Sequence, residues 1–375
     1  MKHSVRVRMS MSVLFVLLVS VSLVCAADGG PVLLSFSWDN SLVEVKSIIQ
    51  HNGYDFTVAT NWVFNLSFDE KDKLLSRHAP LERMAVRPSD DIGVLAADLD
   101  KQMPPSFCLT NYNGHSYIAP IQDQGRCGSC YAFAACAAAE AAYNWNLGLY
   151  DDSRVKFSEA FLAFCLSDYY DGFEGCYGAS YDYEELDALV DFGACAASTV
   201  PYDASDSSCG SAGWVDSRTV FQSWHRVPCS DVDAIKAAVM LYGGVDAAVL
   251  VTSAFQAYSS GVYEDDNTGC EADPCYYERS NHAIALVGWN DNGDAESEGY
   301  WILRNSWGPD WGEGGYMRIK YHSAAVSCAA TYLVCSEGTP PVAPANVAAT
   351  DGEPLPLSIT WDSGWTGGST TQEGE

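Results

Sequence analysis

The spacing of apolar and polar residues changes along this chain, and each change marks a boundary. An apolar run from Val13 to Val24 follows Lys2, Arg6 and Arg8 and leads into Cys25-Ala26-Ala27. Basic residues, a short apolar stretch and small residues at its end predict a secretory signal peptide over 1–27, cut after Ala26 or Ala27. The run is too short to span a bilayer well, so no membrane anchor is expected. Leu42, Val45, Ile48 and Ile49 then recur at helical spacing behind Asn40-Ser41, a suitable N-cap. Phe56-Thr57-Val58 reads as a short strand and Ser67 to Leu75 as a short helix. Pro104-Pro105 breaks the pattern, which sets 28–103 apart as a unit.

From Tyr131 to Trp145 nearly every residue is alanine or aromatic. Alanine favours helix, and a helix apolar on all sides must be buried. Ser158-Glu159 opens a second apolar helix through Cys165, and a third runs from about Asp182 to Phe192 and stops at Gly193. Ser230-Asp231-Val232-Asp233 opens a fourth, ended by Gly243-Gly244. Beyond that point the period shortens. Val245–Val251, His282–Trp289, Tyr300–Arg304 and Tyr316–Lys320 read as strands. Helices before about residue 215 and strands after it predict an α+β fold of two lobes, 104–215 and 216–335. A Pro, Gly, Thr and Ser-rich extension over 336–375 is expected to lack regular structure.

Composition narrows the function. Of 375 residues 48% are hydrophobic and 18% charged, which suits a folded chain. Lys and Arg total 20 against 49 Asp and Glu, a formal charge of −29. That balance excludes a nucleic-acid binder, which needs a basic footprint, and docking on an anionic membrane surface. There are 14 cysteines. Loss of Cys25 with the signal leaves an odd number in an oxidising pathway, so at least one thiol survives pairing. The sequon Asn65-Leu66-Ser67 offers Asn65 for N-glycosylation.

The candidate chemistry centres on Cys130, in Gln124-Gly125-Arg126-Cys127-Gly128-Ser129-Cys130-Tyr131-Ala132-Phe133. A thiol opening a long helix meets the positive end of the macrodipole, which favours thiolate. The unused amides there can hold an oxyanion, and Gln124 can add a side-chain donor. His282 heads an apolar strand, where an imidazole is held rigidly, whereas His51, His78, His115, His225 and His322 are expected on the surface. Asn305 follows the strand Tyr300–Arg304, and an amide can orient an imidazole.

These blocks resemble the papain/cathepsin cysteine peptidases. The likeness is carried by Gln-Gly-x-Cys-Gly-Ser-Cys, Asn-His-Ala-Ile and Asn-Ser-Trp-Gly-x-x-Trp-Gly-x-x-Gly-Tyr, in that order, and covers about 104–335. It implies an α+β, papain-like fold, with a helical lobe and a β-barrel-like lobe either side of an active-site cleft. By the same likeness Cys130 is the nucleophile of an endopeptidase and His282 its acid–base partner. Asn305 orients His282, Trp307 shields that contact, and Gln124 with the Cys130 amide forms the oxyanion hole. No cofactor or metal is implied. The resemblance further implies disulfides Cys127–Cys176 and Cys165–Cys209, with Cys328 joined to Cys270 or Cys275. Cys108, Cys136, Cys195, Cys229 and Cys335 stay unassigned, Cys136 as a candidate buried thiol.

Segment 28–103 resembles the family's inhibitory propeptide. His51-Asn52 stands at the end of its helical signature and Ala59 to Asn65 at its strand motif. The chain's own propeptide, peptide substrates and cystatin-like inhibitors are therefore the expected partners, and a lysosome-like or extracellular compartment the expected destination. By position Gly178 and Ala179 form the substrate-binding turn, and Tyr181, Ala248, Ala283 and Leu333 line an apolar second subsite. Two departures stand out. Tyr131 replaces the family's tryptophan, as in the dipeptidyl-peptidase branch, and Ala179 replaces a glycine. The alternatives are a silent binding protein on the same fold and a dipeptidyl-peptidase-like exopeptidase. A transglutaminase-type acyl transferase does not suit the Cys-Gly-Ser-Cys and Asn-Ser-Trp-Gly blocks.

Overall fold

The computed structural model describes residues 32–75, 103–167, 172–179, 183–205, 218–265, 280–291 and 299–335, with two short strands at 347–349 and 359–361. The leading segment forms helix α1 (Leu42–Asn52), strand β1 (Phe56–Val58) and helix α2 (Phe68–Leu74). Both helices start at a capping box, in which serine and glutamate satisfy each other's amides: Ser41 with Glu44, Ser67 with Glu70. Residues 59–65, expected as a strand, instead make turns closed by Asn65 N–H to Asn61 O and Leu66 N–H to Val63 O. The Asn61 side chain explains this, because its carbonyl accepts from the Phe64 amide and caps the turn.

In the helical lobe, α3 (Cys130–Leu147) is buried along nearly its whole length. Its alanines let neighbours come close. A methyl group at Gly243 would meet the Ala141 carbonyl at 2.7 Å, and one at Gly244 would meet Ala141 Cβ at 2.8 Å. The second predicted helix is present over 159–165, widened to a π-helix over Phe161–Cys165, and the Phe161 amide donates to Ser158 Oγ at its start. Helix α4 (Glu184–Asp191) follows, and the positive φ expected of Gly193 is present.

The β lobe is a nine-stranded sheet. Along the chain its members are β1, β2 (Ser106–Cys108), β5 (Phe221–Arg226), β6 (Val245–Val249), β7 (Tyr258–Tyr263), β8 (His282–Asn290), β9 (Tyr300–Arg304), β10 (Tyr316–Lys320) and β11 (Ala330–Cys335). Strands β3 (Ala194–Cys195) and β4 (Arg218–Thr219) pair separately. The order across the sheet is β1-β7-β10-β9-β8-β6-β11-β5, with β2 on β8. Helix α5 (Val232–Tyr242), capped by Asp231 as expected, and the short α6 (Ser253–Gln256) complete the lobe.

Two features depart from a clean split at residue 215. Strand β2 belongs to the helical half of the chain yet joins the β sheet. Phe221, Trp224 and Leu333, from the strand half, sit in the helical-lobe core. The described part of the leader has no core of its own. Phe36, Val45, Ile48 and Phe56 share one apolar cluster with Phe255, Trp307 and Trp311.

Cys127 is joined to Cys176. Cys165, Cys229 and Cys328 are also in disulfides, while Cys209, Cys270 and Cys275 lie outside the described residues. Cys136 is a buried thiol, as are Cys108 and Cys195. In the C-terminal extension, expected to be irregular, β12 (Val347–Ala349) and β13 (Ile359–Trp361) pair antiparallel. No helix among the described residues is long and apolar enough to cross a membrane.

Candidate active site

Cys130 is the first residue of α3 and is a fully buried thiol. The loop before it is pinned by the Cys127–Cys176 disulfide and by Gly128 N–H to Cys176 O at 2.9 Å. Gly128 is needed there, since a methyl group would meet that carbonyl at 2.7 Å. Tyr131 fills the tryptophan's place with its hydroxyl 3.3 Å from the Gly175 carbonyl and its ring against Phe173. Ala179 is buried with the helical-lobe core, so its methyl group packs inward.

The other lobe supplies the base. His282 begins β8 opposite Val249 and has no exposed surface. Its Nε2 lies 2.8 Å from Asn305 Oδ1, and Trp307 stacks on the ring at 4.7 Å. Its Nδ1 is buried without a hydrogen-bond partner among the described residues. The neighbouring Ala283 shares a small buried cluster with Cys130 and Ala134, and its strand lies against α3. Burial holds the imidazole pKa at about 4, and the Asn305 bond opposes that only in part.

Gln124 is fixed on every side. Its amide donates to Ser306 O at 2.9 Å, and its side-chain carbonyl accepts from Ser306 Oγ at 2.6 Å. Its Nε2 is thereby aimed outward and donates to Cys127 O and to Leu74 O, both at 2.8 Å. Leu74 belongs to the leader. The end of α2 therefore puts a main-chain carbonyl on the very donor expected to hold an oxyanion. Lys73 O and Leu75 O face Gly128 of the same loop, and Glu70 pairs with Arg126 at 2.6 Å.

The structure thus brings together Cys130, His282, Asn305, Trp307 and Gln124, the five residues expected at the chemistry. Of the expected subsite residues, Ala283 shares a small buried cluster with Cys130 and Ala134, Ala248 packs on Ala329, and Leu333 is buried opposite Trp224. Gly178 has a φ of 107°, and Tyr181 lies outside the described residues. Of the surface histidines, His225 is half-buried against Tyr332 and His322 is half-buried as well, while His78 lies outside the described residues. Sequence reasoning missed Ser306 and Leu74. Ser306 sits inside a motif block but acts through a contact that only folding creates. Leu74 carried no signal, because its contribution is a backbone carbonyl.

A family model described as "Papain family cysteine protease" matches residues 103–336. A cathepsin L-like peptidase of Aedes aegypti is 31% identical over 226 residues, covering 58% of this chain and 61% of that protein. Cysteine proteinase 2 of Entamoeba histolytica is 34% identical over 226 residues, covering 59% and 65%. The chain thus spans less than two thirds of the length of either. Digestive procathepsin L 3 of Tenebrio molitor larval midgut superposes with a TM-score of 0.60 at 24% identity, over 78% of this chain and 87% of that one.

Proposed function

Because the chain belongs to the papain family of cysteine proteases, we propose that it is a cysteine endopeptidase made as a zymogen, with 28–103 as its inhibitory propeptide. The observation that carries this reading is the His282 ring. One nitrogen is held by Asn305 and the other is left over, beside a strand packed on Cys130. His282 takes the Cys130 thiol proton, the resulting thiolate attacks the peptide carbonyl, and the sulfur–carbon bond forms as the carbonyl oxygen takes the negative charge. Gln124 and the Cys130 amide stabilise that oxygen. His282 protonates the leaving amine as the C–N bond breaks, leaving a thioester. It then takes a proton from water, whose oxygen attacks the thioester and returns the thiol. Leu74 O occupies the Gln124 donor in the zymogen, which supports the inhibitory role of the leader.

Further readings follow the same residues. The uncharged Ala248 and Ala283 support a second subsite that favours Leu, Val or Phe, because a buried charge there would lack a partner. Leu333 lies in the helical-lobe core and Tyr181 outside the described residues. Asn65 is exposed and is the proposed glycan acceptor. A signal peptide at 1–27 and an acidic composition support delivery to a lysosome-like or extracellular compartment, where cystatin-like inhibitors are expected partners.

The test is labelling. Chain freed of 28–103 is treated with an epoxysuccinyl peptide, and the modified residue is located. Label on Cys130, lost in a folded Cys130→Ala variant, is expected. Hydrolysis retained by Cys130→Ala would sink the reading. Cys127→Ala should instead unfold the loop, its correctly folded fraction keeping some turnover.

A further inference from the structure

The loop from Gln124 to Ser129 carries the side-chain oxyanion donor at one end and the start of α3 at the other. One side chain from elsewhere touches both ends. The Tyr202 hydroxyl donates to the Gln124 carbonyl at 2.9 Å and lies 2.8 Å from Ser129 Oγ. A phenol has one proton and a carbonyl can only accept, so the chain of donation runs Ser129 to Tyr202 to Gln124.

This arrangement has two physical consequences. A serine at a helix N-cap ordinarily accepts from a first-turn amide. Ser129 makes no such bond, so its side chain does not compete for the amides beside the nucleophile. The Gln124 main chain is also held from both lobes, through its carbonyl by Tyr202 and through its amide by Ser306. The phenol cannot drift. Phe133 meets it edge-on at 4.7 Å and Phe164 stacks on it at 5.9 Å. The two segments are in close contact, since a methyl group on Gly125 would meet Ala204 Cβ at 2.7 Å. Burial pushes the Tyr202 phenol above its ordinary range, so it stays a donor at neutral and acidic pH.

We propose that Tyr202 is a positioning residue: its hydroxyl ties Gln124 to Ser129 and so sets the spacing between the side-chain and main-chain donors of the oxyanion hole. It acts through Gln124 and touches no substrate. The inference rests on reading Gln124 as an oxyanion donor, and the experiment separates the two.

Turnover is measured for the activated wild type, Tyr202→Phe, Gln124→Ala and the double variant. Tyr202→Phe should lower kcat by about five- to tenfold, on the order of one hydrogen bond, with KM nearly unchanged. In the Gln124→Ala background the same change should cost nothing further. A peptide aldehyde, whose bound oxygen occupies the hole, should bind Tyr202→Phe more weakly by a similar factor. A merely structural role would shift the melting temperature but not these ratios. An unchanged kcat in Tyr202→Phe, or an equal loss in both backgrounds, overturns the proposal. Undiminished turnover in Gln124→Ala overturns the oxyanion reading itself, and this inference with it.

Discussion

The leader grips the rest of the chain in two places that work differently. From Phe36 to Val58 it lies against the sheet edge. Strand β1 extends β7 through Phe56 opposite Gly261 and Val58 opposite Tyr258, and the Phe56 ring sits 4.9 Å from Tyr263. From Glu70 to Leu75 the contacts add polar and main-chain groups on the catalytic loop, ending with Leu74 O on Gln124, while the Leu74 and Leu75 side chains are buried in the same apolar cluster. The first region buries apolar area, which is where binding free energy comes from. The second buries only the Leu74 and Leu75 side chains but lies on the loop that carries Gln124 and Cys130. On the proposed reading, most of the leader's binding free energy comes from the first stretch and the block on Gln124 from the second.

The largest effect is expected at the sheet edge. Phe56 is 5% exposed, and removing a buried phenylalanine ring costs about 3–5 kcal/mol. In the full-length Phe56→Ala chain at neutral pH, labelling of Cys130 by an epoxysuccinyl peptide should rise about a hundredfold or more. An unchanged rate would show that the cleft contacts alone hold the leader.

Next comes pH. The His282 pKa is about 4 in the folded chain, below its ordinary 6.5. Between those values the unfolded chain binds a proton that the folded chain refuses. Stability from this group is therefore full above pH 6.5 and falls as pH drops toward 4, by about 3 kcal/mol in all. Glu140 acts in the opposite sense. Burial pushes its carboxyl up to about 7, despite Arg304 at 3.4 Å, so its contribution fades as pH rises through that value. The difference between wild type and His282→Gln isolates the histidine. Melting temperatures of the two full-length chains should converge as pH falls from 6.5 to 4, and parallel curves would show that His282 does not set the acid sensitivity of the fold.

The smallest effect is expected at Glu70. Its ion pair with Arg126 is solvent-exposed, and such pairs contribute little. Hydrogen bonds from the Ser67 amide and hydroxyl lower its pKa first, and Arg126 adds to that. Its contribution is present above the usual carboxylate range and disappears as pH falls through the lowered value. Glu70→Gln in the full-length chain should raise labelling of Cys130 at neutral pH by less than about threefold. A change as large as that of Phe56→Ala would collapse the distinction between the two regions.

What could be read in advance follows the range of the interactions involved. Helices α1 and α2 were legible because each start is a serine and a glutamate three residues apart, closed locally. Strands β9 and β10 match their expected bounds: β9 is a continuous buried run, and β10 alternates buried and half-buried positions. Strands β5, β7 and β11 were not foreseen. Their partners lie far away in sequence, and Tyr258-Ser259-Ser260-Gly261 carries no strong strand signal alone.

The same rule governs the site. Sequence by itself pointed to the proposed reacting residues: a cysteine opening an alanine-rich helix, a histidine heading an apolar strand, an asparagine after another. Those roles depend on short-range patterns that a helix or strand imposes wherever it forms. Tertiary structure alone decided how they are held. Ser306 reaches Gln124 across 182 residues and Tyr202 across 78, and Leu74 blocks it from 50 residues away. A hydroxyl or a carbonyl has no sequence signature for such a contact, because any residue can supply the backbone oxygen and only packing of the two lobes sets the distance.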